Sequence, residues 1–408
     1  MSARWLLGAL VAVVASSWGG VSVSAKDDVP PEVDVPEKVK PGKTAFLTAP
    51  KGMRYFLRVP KSYDPKVGAR LIVFLHGSNM NGLAYVRSFE AKNWADDDLL
   101  VCPNGEQGNK SEELGEHNFT FGSAPLVADV TEQVQKAFKT TISYVGGHSQ
   151  GGFLTYSVIL NFPDLFKGAM PMAGDCWSQN EPNLWEEKPD VLKKQRDIAI
   201  AVVHAPDDPV VQFEQGQHAY GCFRAEGWQK VRLFAPEHAQ HMFMVYPVDQ
   251  VLDWLDAMNG RNDKKSLELA DKWSKEGEHG WALAAAKSVK GGSPKLVKAA
   301  EDAAAKAAPA MSEAMKGKPM DWIPKWLEFW RIFGGTSAAK SLVERYLDLR
   351  DKQRNEGERL GMAAFGCFRS QRADEAYKTF EELLSKAPCS YFGWYAWKSL
   401  SEKAAQKK

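Results

Sequence analysis

The chain has 408 residues, 44 % of them hydrophobic and 25 % charged. That is the make-up of a soluble globular protein with room for two domains, and it excludes a disordered or membrane-embedded chain. Its 52 Lys and Arg against 51 Asp and Glu leave a formal net charge of +1, so no global field favours nucleic acid or anionic lipid.

At the N-terminus, Arg4 precedes an apolar run over residues 5–15. Val23-Ser24-Ala25 then supplies the small residues of a cleavage site. Gly19 and Gly20 break the run before it becomes a membrane span. Residues 1–25 therefore read as a signal peptide, and a secreted or periplasmic protein with no membrane attachment after cleavage is expected. Residues 26–43, rich in Pro, Val and charge, read as an extended linker.

From 44 to 259, short β-branched runs alternate with helical stretches. Strands are expected at 53–59, 70–76, 99–102, 142–146, 168–173, 198–203 and 231–234. Several of these are apolar throughout, as in strands covered on both faces. Helical periodicity falls at 127–138, 151–160 and 248–258. The alternation predicts an α/β domain with a mostly parallel sheet and helices on both sides. Past Gly260 the strand-like runs stop, and residues 260–408 read as a smaller all-α domain of helical hairpins. There, Trp322, Trp326 and Trp330 form a stripe at helical spacing, expected to pack in a core. Ala376, Phe380 and Pro388 resemble the second helix of a tetratricopeptide repeat. If the domain is repeat-like, its concave face offers a site for a protein partner.

The cysteines are Cys102, Cys176, Cys222, Cys367 and Cys389, an odd count with no CxxC and no zinc-motif spacing. They are expected to be buried as small apolar side chains, with no metal site.

Gly147-His148-Ser149-Gln150-Gly151 is the chain's one G-x-S-x-G. It stands between an expected strand and an expected helix, the setting in which a sharp turn presents a nucleophilic serine. A serine hydroxyl needs a base to take its proton and an acid to orient that base, supplied in the order Ser, Asp, His. The acid falls in the loop after strand 198–203. Asp208 is the choice there, since Pro209 and Val210 begin a turn that aims it inward; Asp207 is the alternative. The base falls after strand 231–234. His241 is preferred, directly before the lead into the last helix of the domain, with His238 as alternative. His76, His148 and His204 are expected as structural neighbours of the site, His218 and His279 as bystanders. An oxyanion hole is expected from the amides of Gln150 and Ser78, the latter in the loop after strand 70–76.

Three stretches resemble the secreted α/β-hydrolase esterases that include feruloyl and acetylxylan esterases and polyhydroxybutyrate-depolymerase-like enzymes. These are residues 54–60 running into 71–77; residues 144–174, with the Gly-rich turn, Phe162-Pro163-Asp164-Leu165-Phe166 and Ala173-Gly174; and residues 204–211. The resemblance implies an α/β-hydrolase fold and hydrolysis of a carboxylic ester through an acyl-enzyme. The ester would be a small molecule or borne on a polymer, and neither metal nor organic cofactor would be needed. The family roles fall on Ser149, Asp208 and one of His238 or His241. The stretch before these histidines lacks the Gly usual ahead of the catalytic one. Segments 104–124 and 175–196 should overhang the site. Their Phe119, Phe121, Trp177 and Trp185 are available to stack on a sugar or phenolic ring, or to pack onto the domain. Two other readings are a hydrolase-fold binding protein without activity and a serine peptidase acting on short peptides.

Overall fold

The computed structural model describes residues 30–108, 115–176 and 196–405. The expected signal peptide, Trp177 and Trp185 lie outside them. Strands β1 (Thr44–Thr48), β2 (Arg54–Arg58), β3 (Ala69–Leu75) and β4 (Leu99–Pro103) are followed by a two-stranded ribbon, β5 (Gln107–Gly108) and β6 (His117–Asn118). Then come β7 (Thr140–His148), β8 (Gly168–Met172), β9 (Ala199–Val203) and β10 (Val231–Phe234). Eight of these form one sheet in the order β1-β2-β4-β3-β7-β8-β9-β10. Only β2 runs against the others: it is antiparallel to β1 and β4, and every other neighbouring pair is parallel. All of β3, β4, β8 and β9 is buried, which explains their unbroken apolar sequences.

Helices cover both faces. On one, α1 (Gly82–Ala91) packs against β2–β4. On the other, α2 (Ala124–Ala137) packs on α3 (Gln150–Asn161), which lies on β3, β7 and β8. Helix α4 (Phe213–Ala225) packs on β9 and β10, and α5 (Val248–Asn259) on β8 and β9. This is the α/β-hydrolase arrangement expected from the sequence. The chain passes from β3 to β4 on one side, then returns to place β7 on the other side of β3. That reversal of order opens a crevice outside the carboxyl ends of β3 and β7, where ligands of open α/β sheets bind.

At the opposite edge of the sheet, the buried Arg70 pairs with Asp98 and, at 2.8 Å, with Asp256. Tyr144 donates to Asp256 at 2.9 Å and Arg261 reaches the same carboxylate at 3.0 Å. A buried Arg is tolerated there because two carboxylates face it.

Past β10 the described chain is helical. Helices α6 (Asp263–Lys275) and α7 (His279–Ser288) share a core with α5: Trp281 meets Trp254 and Trp273, and Ser288 donates to the Ala257 carbonyl at 2.8 Å. The change of composition at Gly260 thus marks the end of strand–helix alternation, not the edge of this compact unit. The unit comprises residues 30–305 and 330–337. His279, expected in the all-α part, stacks on Phe333 within it. The remaining helices are α8 (Pro294–Ala314), α9 (Pro319–Phe333), α10 (Ser337–Arg369), α11 (Ala373–Lys386) and α12 (Tyr391–Ala405).

Residues 306–329 and 338–405 form a second unit, all helical. Trp322 and Trp326 are buried in it, and Trp326 stacks on Tyr346. Trp330, the last of the stripe, is buried in the first unit under the Arg224 guanidinium. Ala376 and Phe380 are fully buried, Phe380 among Phe365, Phe368 and Tyr395. No helix among the described residues is long and apolar enough to cross a membrane.

Candidate active site

The parallel register brings the carboxyl ends of five strands level. Leu75 is opposite Gly147, His148 opposite Met172, Met172 opposite Val203, and Val203 opposite Phe234. Each of the loops named in the sequence analysis leaves the sheet at this one edge.

Ser149 joins β7 directly to α3 at φ 55° and ψ −119°, a conformation L residues rarely adopt. Such a residue stores on the order of 1–3 kcal/mol and persists only where its surroundings hold it. Here its N–H donates to the Met172 carbonyl at 2.9 Å, and its carbonyl accepts from Phe153 N–H at 3.0 Å. The flanking glycines serve proximity. A Cβ on Gly147 would stand 2.3 Å from the Gly151 carbonyl oxygen, and one on Gly151 2.3 Å from that of Leu75. The helix can leave the strand this sharply only because its first turn sits directly on the neighbouring backbone. Ser149 itself is partly exposed.

The loop after β9 carries both candidate acids. Asp208 is buried; one oxygen accepts from Val210 N–H at 2.8 Å and Val211 N–H at 2.9 Å, and the other meets His241 Nδ1 at 2.7 Å. Asp207 is exposed and accepts from Gln240 N–H at 3.0 Å. Of the two histidines after β10, His241 is therefore the one brought to Asp208. His238 is exposed at φ 59° and makes no hydrogen bond to either acid among the described residues. Its neighbour Gln240 is also in the left-handed region, at φ 50°, and this doubled turn sends His238 to solvent and His241 inward.

His148, the residue before Ser149, lies against the His241 ring with centroids 4.6 Å apart. Burial, with the His241 ring alongside, pushes His148 well below the ordinary histidine value, so it is neutral. Its Nδ1 is 3.0 Å from the Tyr85 hydroxyl, which also accepts from Gly77 N–H at 3.2 Å. His204 donates from Nε2 to the Val211 carbonyl at 2.8 Å, which holds the acid loop in its turn.

The loop after β3 approaches the serine closely: a Cβ on Gly77 would lie 3.5 Å from that of Ser149. With the Gly77 amide bonded to Tyr85, the next amide, that of Ser78, is the loop's candidate oxyanion donor. Gln150 N–H is the first amide of α3 and so has no intrahelical acceptor. The loop is braced by His76, whose Nε2 accepts from Gly105 N–H at 2.9 Å while Nδ1 donates to the Gly77 carbonyl at 2.7 Å. Burial lowers His76 to about 3, which keeps the ring neutral in that tautomer. His117 and Asn104 extend the brace: His117 reaches the Gly105 carbonyl at 3.2 Å, and Asn104 accepts from Gly82 N–H at 2.7 Å. Phe119 is buried over His76 and its N–H donates to Gln150 Oε1 at 2.9 Å. Of the aromatics singled out in the sequence, Phe119 therefore packs onto the domain. The brace was not foreseen, because Asn104, Gly105 and His117 carry no local motif.

No protein-family model matches the chain. Poly(3-hydroxyalkanoate) depolymerase C of Paucimonas lemoignei is 30 % identical to it over 142 residues, 32 % of this chain and 33 % of the depolymerase. The chain thus spans about a third of the length of the curated relative it matches. Among solved structures, a thermostable esterase aligns with a TM-score of 0.39 and 21 % identity, over 52 % of this chain and 61 % of the esterase. Acyl-protein thioesterase 2 of Zea mays aligns with a TM-score of 0.41 and 19 % identity, over 50 % of this chain and 98 % of the thioesterase. The acetyl xylan esterase of Aspergillus awamori gives 0.41 and 11 %, over 52 % of this chain and 99 % of the esterase.

Proposed function

We propose that the chain is an exported serine esterase that cleaves a carboxylic ester through Ser149, His241 and Asp208. The observation that carries this reading is the 2.7 Å pairing of His241 Nδ1 with the buried Asp208 at the sheet edge where the strained turn presents Ser149. With Nδ1–H engaged by the carboxylate, Nε2 of His241 is left as the basic nitrogen. It takes the Ser149 proton as the hydroxyl attacks the ester carbonyl. The amides of Gln150 and Ser78 hold the oxyanion, each worth about 10²–10³ in turnover. Protonated His241 returns its proton to the departing alcohol, and water then repeats the cycle on the acyl-enzyme.

Val210, Met242 and Val245, close in sequence to the acid and the base, are exposed. Exposed apolar side chains there support an ester with an apolar acyl or alcohol part, and the depolymerase relative makes a polyester of hydroxy acids the first polymer to try. Export rests on the residue 1–25 pattern. The test is hydrolysis of p-nitrophenyl esters from acetyl to decanoyl by wild type and Ser149→Ala. Wild-type turnover with a loss of about 10⁴-fold or more in the variant is expected. Equal, residual activity in both would overturn the reading.

A further inference from the structure

We infer that Cys176, His218 and Cys222 form a zinc site, with Asp175 holding the histidine in its ligating orientation. The Sγ atoms of the two cysteines and a ring nitrogen of His218 lie within 4.8 Å of one another, and no disulfide joins any of the five cysteines. His218 and Cys222 are one turn apart on α4 and so project from the same face. Asp175 and Cys176 arrive from the segment leaving β8, because β8 and β9 are neighbours in the sheet.

The geometry is that of a metal ligand set more than of a chance cluster. Asp175 accepts from His218 Nδ1 at 2.8 Å, and the other ring nitrogen, Nε2, faces Cys222 Sγ at 3.4 Å. Zinc bonds of about 2.3 Å to sulfur and 2.0–2.1 Å to nitrogen, at tetrahedral angles, put those two atoms roughly 3.6 Å apart. The carboxylate–histidine pair is the outer shell that ligating histidines usually carry. A buried polar group without a partner lies close by. Tyr156 is 2 % exposed, its hydroxyl has no hydrogen-bond partner among the described residues, and it lies close enough to Cys176, Asp175 and Cys222 to feel their charges. A water would complete four-coordination. On binding, both thiols lose their protons to solvent as the Zn–S bonds form, and the two thiolates neutralise the dication in this largely buried place. Two thiolates and an imidazole suit zinc better than a harder cation.

The site would tie the segment after β8 to the helix after the acid loop. Its role is structural, and it stands whether or not the chain is an esterase.

The experiment uses the full chain, purified under reducing conditions. Elemental analysis should give one zinc per chain. Replacement by Co²⁺ should give thiolate-to-cobalt charge-transfer absorption and tetrahedral d–d bands. Cys222→Ser and Cys176→Ala should each abolish those bands with circular dichroism unchanged, while Cys367→Ser keeps them. Should Cys222→Ser fail to fold, the partly exposed Cys176 carries the test alone. Asp175→Asn should weaken zinc binding about 10–100-fold without removing it. Cobalt spectra unaltered in Cys176→Ala, or a native chain without zinc whose peptide map shows a Cys176–Cys222 disulfide, would overturn the inference.

Discussion

Replacing Asp208 by Asn separates the proposed chemistry from the scaffold more cleanly than any other change. One carboxylate oxygen accepts from the amides of Val210 and Val211, at 2.8 and 2.9 Å, and the other meets His241 Nδ1 at 2.7 Å. In the variant, the amide oxygen must stay toward the two backbone donors, since an NH₂ there would face N–H against N–H. The NH₂ group is thereby turned to His241 and forces the imidazole into the tautomer whose Nε2 already carries a proton. That nitrogen can no longer accept from Ser149. In a serine triad a wrong-tautomer histidine lowers turnover by about 10⁴, equivalent to about 5.5 kcal/mol in the barrier. The scaffold keeps both backbone bonds, so stability should fall by only about 1 kcal/mol, the net worth of one hydrogen bond. Asp207→Asn, at an exposed position with a single backbone contact, should leave turnover within roughly threefold of wild type, as surface changes do. Steady-state kinetics on a p-nitrophenyl ester with parallel urea unfolding reads both quantities. Asp208→Asn within tenfold of wild type, or Asp207→Asn equally damaging, would refute this reasoning.

Other outcomes follow from the same geometry. His241→Ala should lose turnover by several orders of magnitude while His238→Ala stays near wild type; the reverse pattern would move the base. Gly151→Ala would press its Cβ to 2.3 Å from the Leu75 carbonyl oxygen, so a loss of about 1–3 kcal/mol is expected in urea unfolding, and an unchanged midpoint would show that α3 can shift. His76 is neutral in the fold down to about 3 but takes up a proton near 6.5 when unfolded. Between those values the unfolded chain binds more protons, so stability rises with pH in that window and falls as pH drops, by up to about 1.4 kcal/mol per pH unit from this residue. His76→Gln should make the slope of unfolding free energy against pH shallower there; an unchanged slope would mean the ring is charged in the fold.

Much of the sheet was legible because its strands are buried on both faces and therefore unbroken in apolar sequence. β1 was not, since Thr44-Ala45-Phe46-Leu47-Thr48 is a short edge strand beside a Pro- and Lys-rich stretch, and its pairing with β2 is a tertiary fact. The serine was legible from a pentapeptide that imposes its own local geometry. His238 and His241 could not be separated by chain order alone. What separates them is backbone direction, set by the positive φ at His238 and Gln240, which no pattern of side chains announces. The Cys176–His218–Cys222 cluster is not legible in the sequence for a different reason. The His-x-x-x-Cys spacing of residues 218–222 is visible as a helical pair, but Cys176 joins it only through the neighbouring of β8 and β9.

The extension of the first unit past Gly260 has a bearing on how this chain can be divided. β10 is an edge strand, and its Arg232 is sandwiched between Phe234 and Trp281 of α7. A chain ended at Asn259, where the composition changes, would strip Trp273 and Trp281 from Trp254 and bare an apolar face next to an open row of backbone donors and acceptors. Such an edge recruits other strands, so the shortened protein would meet its own copies before it met any substrate.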